Sequence, residues 1–597
     1  MDNLKSSSIR AHQIWVASGK PVSGDLASKM KQARNEYKAA IAEKRALANK
    51  AFSDDINDAL LDRDMGSFWS IWNSKFEKGR VSPMIDGQTN AHDIANAFAE
   101  FFKTACSPNN IDLHSKHKDQ FINVYDKYVS CSEMSSTDLL VSVENVELAI
   151  SETKKGKAAG ADGIMIEHIT YSHPCIILCL AKLFSLCLIH GYVPDQFGAG
   201  IMIPLMKGSD VDASCSSNYR GLTLSPVFSK IFERILLMKF GRFLQTSDLQ
   251  FGFKKGVGTS DALFTFRNAV NFLNGNGSTV SIALLDISKA FDKISHYMLY
   301  LKLLRRNVPR SFIDILCCWY KKCLVSVRWN NVFSPAFQLH AGVRQGGVLS
   351  PMLFAVYIDD IISELSIRGL GFSLHGCFIG CLLYADDMLL ISHSYSMLQI
   401  MLDVCCTVMY SLDLKFNVKK SVLLRIGSRF NSLCTPLKLD GQVLTSVTEC
   451  KYLGAHILAG KHFKCSYAHI KLKFYRLFNA IYSKSSAASA ESISVQLLKS
   501  YCAPVVYYAC EALSYSCSDT SMFNRLFNRA LAKIFKTFDA DVISDIRGYF
   551  MIDDAKAVIG TRVSNFEKKF WAKSLYFNRA LFACGLYYSY ARSDIVF

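Results

Sequence analysis

Residues 376–392 read Gly-Cys-Phe-Ile-Gly-Cys-Leu-Leu-Tyr-Ala-Asp-Asp-Met-Leu-Leu-Ile-Ser. Two apolar runs flank Tyr384-Ala385-Asp386-Asp387, which is the pattern of a β-hairpin with two acids at its tip. Crowding carboxylates against apolar surface costs several kcal/mol, roughly, unless something neutralises them. Like charges at that spacing also repel. A divalent cation answers both problems, and hard oxygen ligands suit Mg²⁺. A surface β-turn, where Asp is common, is the bland alternative. It is weakened by Cys381-Leu382-Leu383 on one side and Met388-Leu389-Leu390 on the other.

A second acid closes the apolar run Ser281-Ile282-Ala283-Leu284-Leu285-Asp286, which follows a Gly-rich segment and reads as a strand. A strand ending in Asp beside a hairpin tipped with Asp-Asp gathers three carboxylates. Two-metal phosphoryl transfer uses such a cluster, with ions about 3.5–4 Å apart.

The rest of the chain is compatible with that chemistry. It has 597 residues, enough for a large core divided among subdomains. Its 68 Lys+Arg against 51 Asp+Glu give a net charge of +17, which favours a polyanionic partner such as nucleic acid. The 20 cysteines show neither disulfide-framework nor C-x-x-C ligand spacing. They read as reduced thiols of a nuclear or cytoplasmic protein. The polar start Met1-Asp2-Asn3-Leu4-Lys5 carries no signal peptide. The apolar stretch Cys175–Val193 is broken by Lys182 and His190, so a buried helix is expected there rather than a membrane span.

Residues 27–52 predict a basic helix, either a solvated face or a helix lying along a nucleic-acid backbone. Another amphipathic run ends at Phe101-Phe102, residues 107–137 read as a polar connection, and helical periodicity returns from 144. Tyr297–Arg305 predicts a helix, as does Ser350–Ser366, with Ser350 and Pro351 as cap and first turn. A short hairpin is expected at Glu449–Leu458, and mostly helix after 465.

Ordered blocks then carry a family resemblance. They are Lys154–Ile164; Asn218-Tyr219-Arg220-Gly221-Leu222-Thr223-Leu224 with Ser229–Arg234; and Gln250-Phe251-Gly252-Phe253-Lys254-Lys255-Gly256. There follow Leu285-Asp286-Ile287-Ser288-Lys289-Ala290-Phe291-Asp292-Lys293; Gly342-Val343-Arg344-Gln345-Gly346-Gly347 through Pro351; Tyr384-Ala385-Asp386-Asp387; Asn417-Val418-Lys419-Lys420-Ser421; and Tyr452-Leu453-Gly454. In this order the chain resembles the reverse transcriptases of non-LTR (LINE-type, jockey-like) retrotransposons, from about residue 30 to 515. Gly221 stands where the family usually has Pro, so the local turn is expected to differ. Lys254 stands where many members have Arg, which loses the planar fork.

The resemblance implies an α+β right-hand polymerase: fingers, a palm of antiparallel sheet with packed helices, and a helical thumb. The expected division is 1–135 N-terminal helical extension, 136–460 fingers and palm, 461–515 thumb, and 516–597 C-terminal helical region. The implied activity is RNA-directed DNA synthesis, with two Mg²⁺ (or Mn²⁺) ions, deoxynucleoside triphosphates, an RNA template and a DNA primer or target. Asp286 and Asp386 would bridge the ions, Asp387 would support them, and Ile287 falls in the metal set. Lys420 would protonate the leaving pyrophosphate. Phe291 would be the gate against a ribose 2′-hydroxyl, though by itself it reads as a core aromatic. Gln345 and Gly346 would lie against nucleotide and template, although Gln345 alone reads as a polar loop residue. Arg220 and Lys254 would hold the triphosphate, with ordinary surface charge as the alternative. Tyr384 and the hairpin Tyr452-Leu453-Gly454 would touch the primer. Asp292 is expected to cap the helix after it.

Nothing before residue 150 resembles an endonuclease, and no ribonuclease H acid set or Cys/His knuckle follows 515. Ala509 and Leu513 replace the family's usual Gly and Trp. The chain is expected to be part of a larger polyprotein. The competing reading is a catalytically silent or co-opted nucleic-acid-binding relic.

Overall fold

The run ending in Asp286 is a strand, Val280–Asp286, and it holds the middle of a five-stranded sheet. In the computed structural model, which describes residues 2–76, 84–128, 135, 137–208, 211–485, 491–573 and 578, its order is Thr445–Ser446, Val422–Ile426, Val280–Asp286, Asp387–Ser392, Cys381–Tyr384. Ile282, Ala283, Leu284 and Leu285 are all buried, so both faces of the central strand are covered. That explains a continuous apolar run in place of alternation. Helices Thr259–Gly275 and Tyr395–Ser411 pack on the sheet. The neighbouring strand runs antiparallel with Asp387 opposite Asp286 and Leu389 opposite Leu284. This is the palm that the resemblance implies.

A second sheet joins Tyr219–Leu224, Ala199–Met206 and Leu324–Trp329, antiparallel in the first pairing and parallel in the second. Helix Ala91–Ala105 lies on it. Phe98, fully buried, sits 5.0 Å from the Tyr219 ring and 5.2 Å from that of Trp329. Gly221 is no turn residue. It pairs with Pro204 inside a strand, where a Cβ would come within 2.6 Å of Met202 Sδ.

Several expectations need correction. Residues 107–137 are not a mere connection: Ile111–Tyr125 is a helix, and the Asn110 side chain caps it by accepting from Leu113 N. Its apolar signal is thin, His117 and Phe121 being its buried residues, but Phe121 packs 5.3 Å from the Tyr300 ring. The helix at 350 takes Leu349 as its cap residue, leaving Ser350 and Pro351 in the first turn, and a second helix starts at Asp360. Cys175–His190 is helical and buries Leu180, Phe184 and Leu188, yet Leu178, Leu186 and Ile189 are exposed, so it is buried on one side only. Among the described residues no helix is long and apolar enough to cross a membrane.

The basic helix extends over Asp25–Leu61, buries Ala27, Met30, Ile56 and Ala59, and leaves Lys29, Lys31 and Lys38 exposed. A three-stranded sheet contains the hairpin Glu449–Tyr452 and Ala455–Leu458. After it the described chain is helical, in Ala468–Ser485, Cys517–Phe535, Ala540–Tyr549 and Ala555–Trp571 among others. Residue 136, at the expected boundary, and most of 574–597 lie outside the described residues.

Ile282 is fully buried between Ile391 and Leu424 of the adjacent strands. We expect Ile282→Ala to cost about 2–5 kcal/mol in urea denaturation. A loss below about 1 kcal/mol would show that the central strand is not packed on both faces.

Candidate active site

The acid hairpin closes with Asp387 opposite Tyr384, which leaves Ala385 and Asp386 as a two-residue turn. Ala385 has φ 55°, a left-handed conformation that a non-glycine residue adopts at a cost of about 1–3 kcal/mol. The segment at 249–252 holds it there. Phe251 N donates to Leu383 O at 2.8 Å and Leu383 N to Leu249 O at 2.8 Å. Buried Gln250 accepts from Gly252 N at 3.0 Å and from Ala385 N at 3.3 Å. A side chain at Gly252 would put its Cβ 2.5 Å from Ala385 N, so only glycine allows this approach.

Asp286 is fixed through its backbone. Its carbonyl accepts from Asn417 N at 2.8 Å, and its N–H donates to Ser421 Oγ at 3.2 Å. This brings Lys420 Nζ to 4.0 Å from Asp286 Oδ2. Burial pushes the Asp286 carboxyl above its ordinary value, Lys420 pulls it back, and Asp386 pushes it up again. Asp387 is pushed up to about 6, by burial first and then by Asp386 and Asp286. The three acids therefore form one electrostatic group.

Asp286 and Asp386 line a cavity of about 840 Å³ together with Ile287, Phe291, Gln345 and Gly346. Asp387 does not line it. Lys207, Arg220, Lys289, Lys293, Lys415 and Lys420 surround the acids. Burial lowers the Lys207 ammonium's pKa, and Lys420, Arg220 and Lys289 lower it further. Cations that destabilise one another's charge make a site for a polyanion. Among the described residues no three Asp, Glu, His or Cys side chains form a chelating group. The donors fit a different arrangement, in which Mg²⁺ takes one or two carboxylates and completes its shell with water and phosphate. Such an ion would also relieve the repulsion that raises Asp286.

Phe291 stacks 4.6 Å from the Phe354 ring and lies edge-on to Phe253 at 5.9 Å, with its remaining surface on the cavity. Gln345 Nε2 donates to Asp292 Oδ1 at 2.7 Å, and Gln345 O accepts from Thr223 N at 2.7 Å. Asp292 thus holds Gln345 and is not a helix cap; Ser295 caps His296–Arg305 by accepting from Met298 N. Gly346, at φ 118°, passes so close to Thr223 that a Cβ would lie 2.6 Å from its carbonyl oxygen. Beneath this loop Arg344 and Glu233, both buried, pair at 3.0 Å. Arg344 also donates to Phe197 O, and Glu233 accepts from Val348 N and Leu349 N.

Two expected residues are placed elsewhere. Lys254 does not line the cavity: its ammonium donates to Thr246 O and Ser247 O and lies 3.8 Å from Asp248. Tyr452, 2% exposed, is packed inward 5.9 Å from Phe266. Leu453 and Gly454 form the accessible turn, with Tyr508 donating to Leu453 O at 2.9 Å, and Tyr384 is half-buried beside the acids. Sequence reasoning missed Gln250 and Glu233 as supports, although both lie within the ordered blocks of the resemblance. It also missed Lys207 and, from the N-terminal helix, Phe101, whose ring lies 4.5 Å from Lys289 Nζ.

Residues 207–457 match the family model described as "Reverse transcriptase (RNA-dependent DNA polymerase)". The chain is 28% identical over 263 residues to the Pol polyprotein of retrotransposable element R2 from Nasonia vitripennis, covering 43% of this chain and 24% of that protein. It is 25% identical over 348 residues to the R2DM polyprotein of Drosophila melanogaster, covering 57% and 32%. It is 24% identical over 553 residues to the RNA-directed DNA polymerase from mobile element jockey of Drosophila funebris, covering 85% and 59%. The chain therefore spans less than two thirds of each of these relatives.

The pair beneath the loop yields a stability test. Glu233→Ala leaves the Arg344 guanidinium buried without its partner, and we expect a loss of about 3–5 kcal/mol in chemical denaturation. A change of about 0–1 kcal/mol, the range of a surface pair, would refute its buried role.

Proposed function

We propose that this chain, which carries a reverse transcriptase domain over residues 207–457, extends the 3′-hydroxyl of a DNA primer on an RNA template with deoxynucleoside triphosphates. One observation carries the reading. The register that sets Asp387 opposite Asp286 delivers Asp286 and Asp386 into one cavity ringed by lysines and arginine.

Bound divalent ions, two of Mg²⁺ or Mn²⁺, supply Lewis-acid stabilisation of the attacking and leaving oxygens. Asp286 and Asp386 would hold them, with Ile287 beside Asp286 and Asp387 tuning the charge from outside the cavity. Lys207, Arg220 and Lys289 bind the triphosphate as charge-assisted donors. Lys207 takes the place expected for Lys254, whose ammonium is engaged by its own loop. Lys420, whose ammonium lies 4.0 Å from Asp286 Oδ2, gives a proton to the departing pyrophosphate oxygen. Gln345, oriented by Asp292, and Gly346 position the nucleotide against the template. Phe291, braced by Phe354, stands where a ribose 2′-hydroxyl would clash. Tyr384 with the Leu453–Gly454 turn seats the primer end.

Primer extension on an RNA template with Mg²⁺ and deoxynucleotides tests this. Asp386→Asn is expected to abolish extension while primer–template binding persists. Undiminished extension by that variant, or none by the parent chain, overturns the proposal. Phe291→Val is expected to admit ribonucleotides, read as incorporation in a ribonucleotide-only reaction; unchanged sugar selectivity removes the gate from Phe291.

A further inference from the structure

A second cavity, of about 700 Å³, shares no lining residue with the first. Helix Ile111–Tyr125 forms one wall, and the start of His296–Arg305 and the end of Arg310–Lys321 form the others. Buried His296, in its lining, stacks 4.5 Å from Tyr320 and hydrogen-bonds Gly342 O at 2.8 Å through Nε2. The site therefore abuts the loop that carries Arg344 and Gln345 without opening into the catalytic cavity.

Its lining combines flat rings with positive charge. Phe121, Tyr300 and Tyr320 are buried at the base, and half-buried Tyr297 lies 6.1 Å from the Phe121 ring and 5.2 Å from that of His114. Lys118, Lys321, His190 and His340 are exposed around it. Neither lysine has an ion-pair partner among the described residues. Arg310, 4.4 Å from the Tyr125 ring centroid, adds another cation alongside. The one carboxylate in the lining, Asp314, accepts from the Tyr125 hydroxyl, and burial pushes it up to about 6. In the wall His114 Nδ1 is buried with no hydrogen-bond partner. An apolar ligand would leave that nitrogen unmet and draw nothing from the exposed cations, and an acidic peptide would not use the rings. Aromatic surfaces beside unpaired cations are how proteins hold unpaired bases and their phosphates.

We propose that this cavity binds a nucleotide unit, its base against Tyr297 and Phe121 and its phosphate on Lys118 and Lys321. That chemistry has two sources, a free mononucleotide or an unpaired nucleotide of single-stranded RNA.

Photo-crosslinking on the full chain tests the site, with 8-azido-ATP in one arm and a short 4-thiouridine RNA in the other, followed by peptide mapping. Label is expected on peptides from 111–125 or 296–321. It should fall by about tenfold in Lys118→Glu/Lys321→Glu, whose exposed positions spare the fold, while label near 286–293 is unchanged. Label from 8-azido-ATP identifies a mononucleotide site; label from the RNA alone identifies a strand site. Either supports the proposal. Absence of label from these peptides in both arms, or label indifferent to the double substitution, overturns it. Crosslinking requires no turnover, so failure of this site and failure of the polymerase reading are separate results.

Discussion

Everything at the acid-lined cavity depends on holding like charges together. Burial raises the proton affinity of Asp286 and Asp387, Asp386 raises both further, and Asp286 adds to the effect on Asp387. Strand pairing supplies the opposing force. With Asp387 fixed opposite Asp286 and four further apolar pairs behind them, separating the acids would require breaking the ladder at the centre of the sheet. A one-residue slip would exchange the faces on which these buried side chains pack, in a strand covered on both sides, so core packing enforces the register.

The surrounding elements hold the strained and close-packed parts of that arrangement. Gln250 and Gly252 support the left-handed Ala385 from the side. The Arg344–Glu233 pair holds the loop at 342–351 from below, and Asp292 aims Gln345. Gln250 supports Ala385 through its carbonyl oxygen, which accepts two backbone N–H groups, while Arg344, Glu233 and Gln345 act through paired polar groups. The cations complete the balance: three acids would repel a triphosphate, but Lys207, Arg220, Lys289 and Lys420 outnumber them at the cavity. Phe101 and Asn109 bring the N-terminal helices to the same cavity, so its wall includes residues far outside 207–457.

The acids could be read directly because they place unusual residues in strongly patterned runs, whereas Phe291 and the loop at 342–351 were legible only through the family resemblance. An Asp-Asp between two apolar strands is costly unless a cation meets it. Elements with weak patterns were harder to read. The helix at 111–125 has so few apolar positions that it resembles a connection until Phe121 is seen against Tyr300. Lys254 carries the right charge, but nothing in its neighbours along the chain reveals that the carbonyls of Thr246 and Ser247 will engage it. Tyr452 sits in a recognisable hairpin, but strand alternation alone does not say which face is covered.

Local periodicity and residue type along the chain are enough to specify the palm strand, the acid hairpin and the kind of chemistry their carboxylates serve. Which charges share the cavity follows from how distant segments pack together. Lys207 entered, Lys254 stayed out, Asp387 lies off the cavity that its neighbour Asp386 lines, and Asp292 became a support for Gln345 in place of a cap. Those outcomes depend on distances between segments up to a few hundred residues apart. Coulombic and hydrogen-bonding energies are set by those distances, and not by order along the chain.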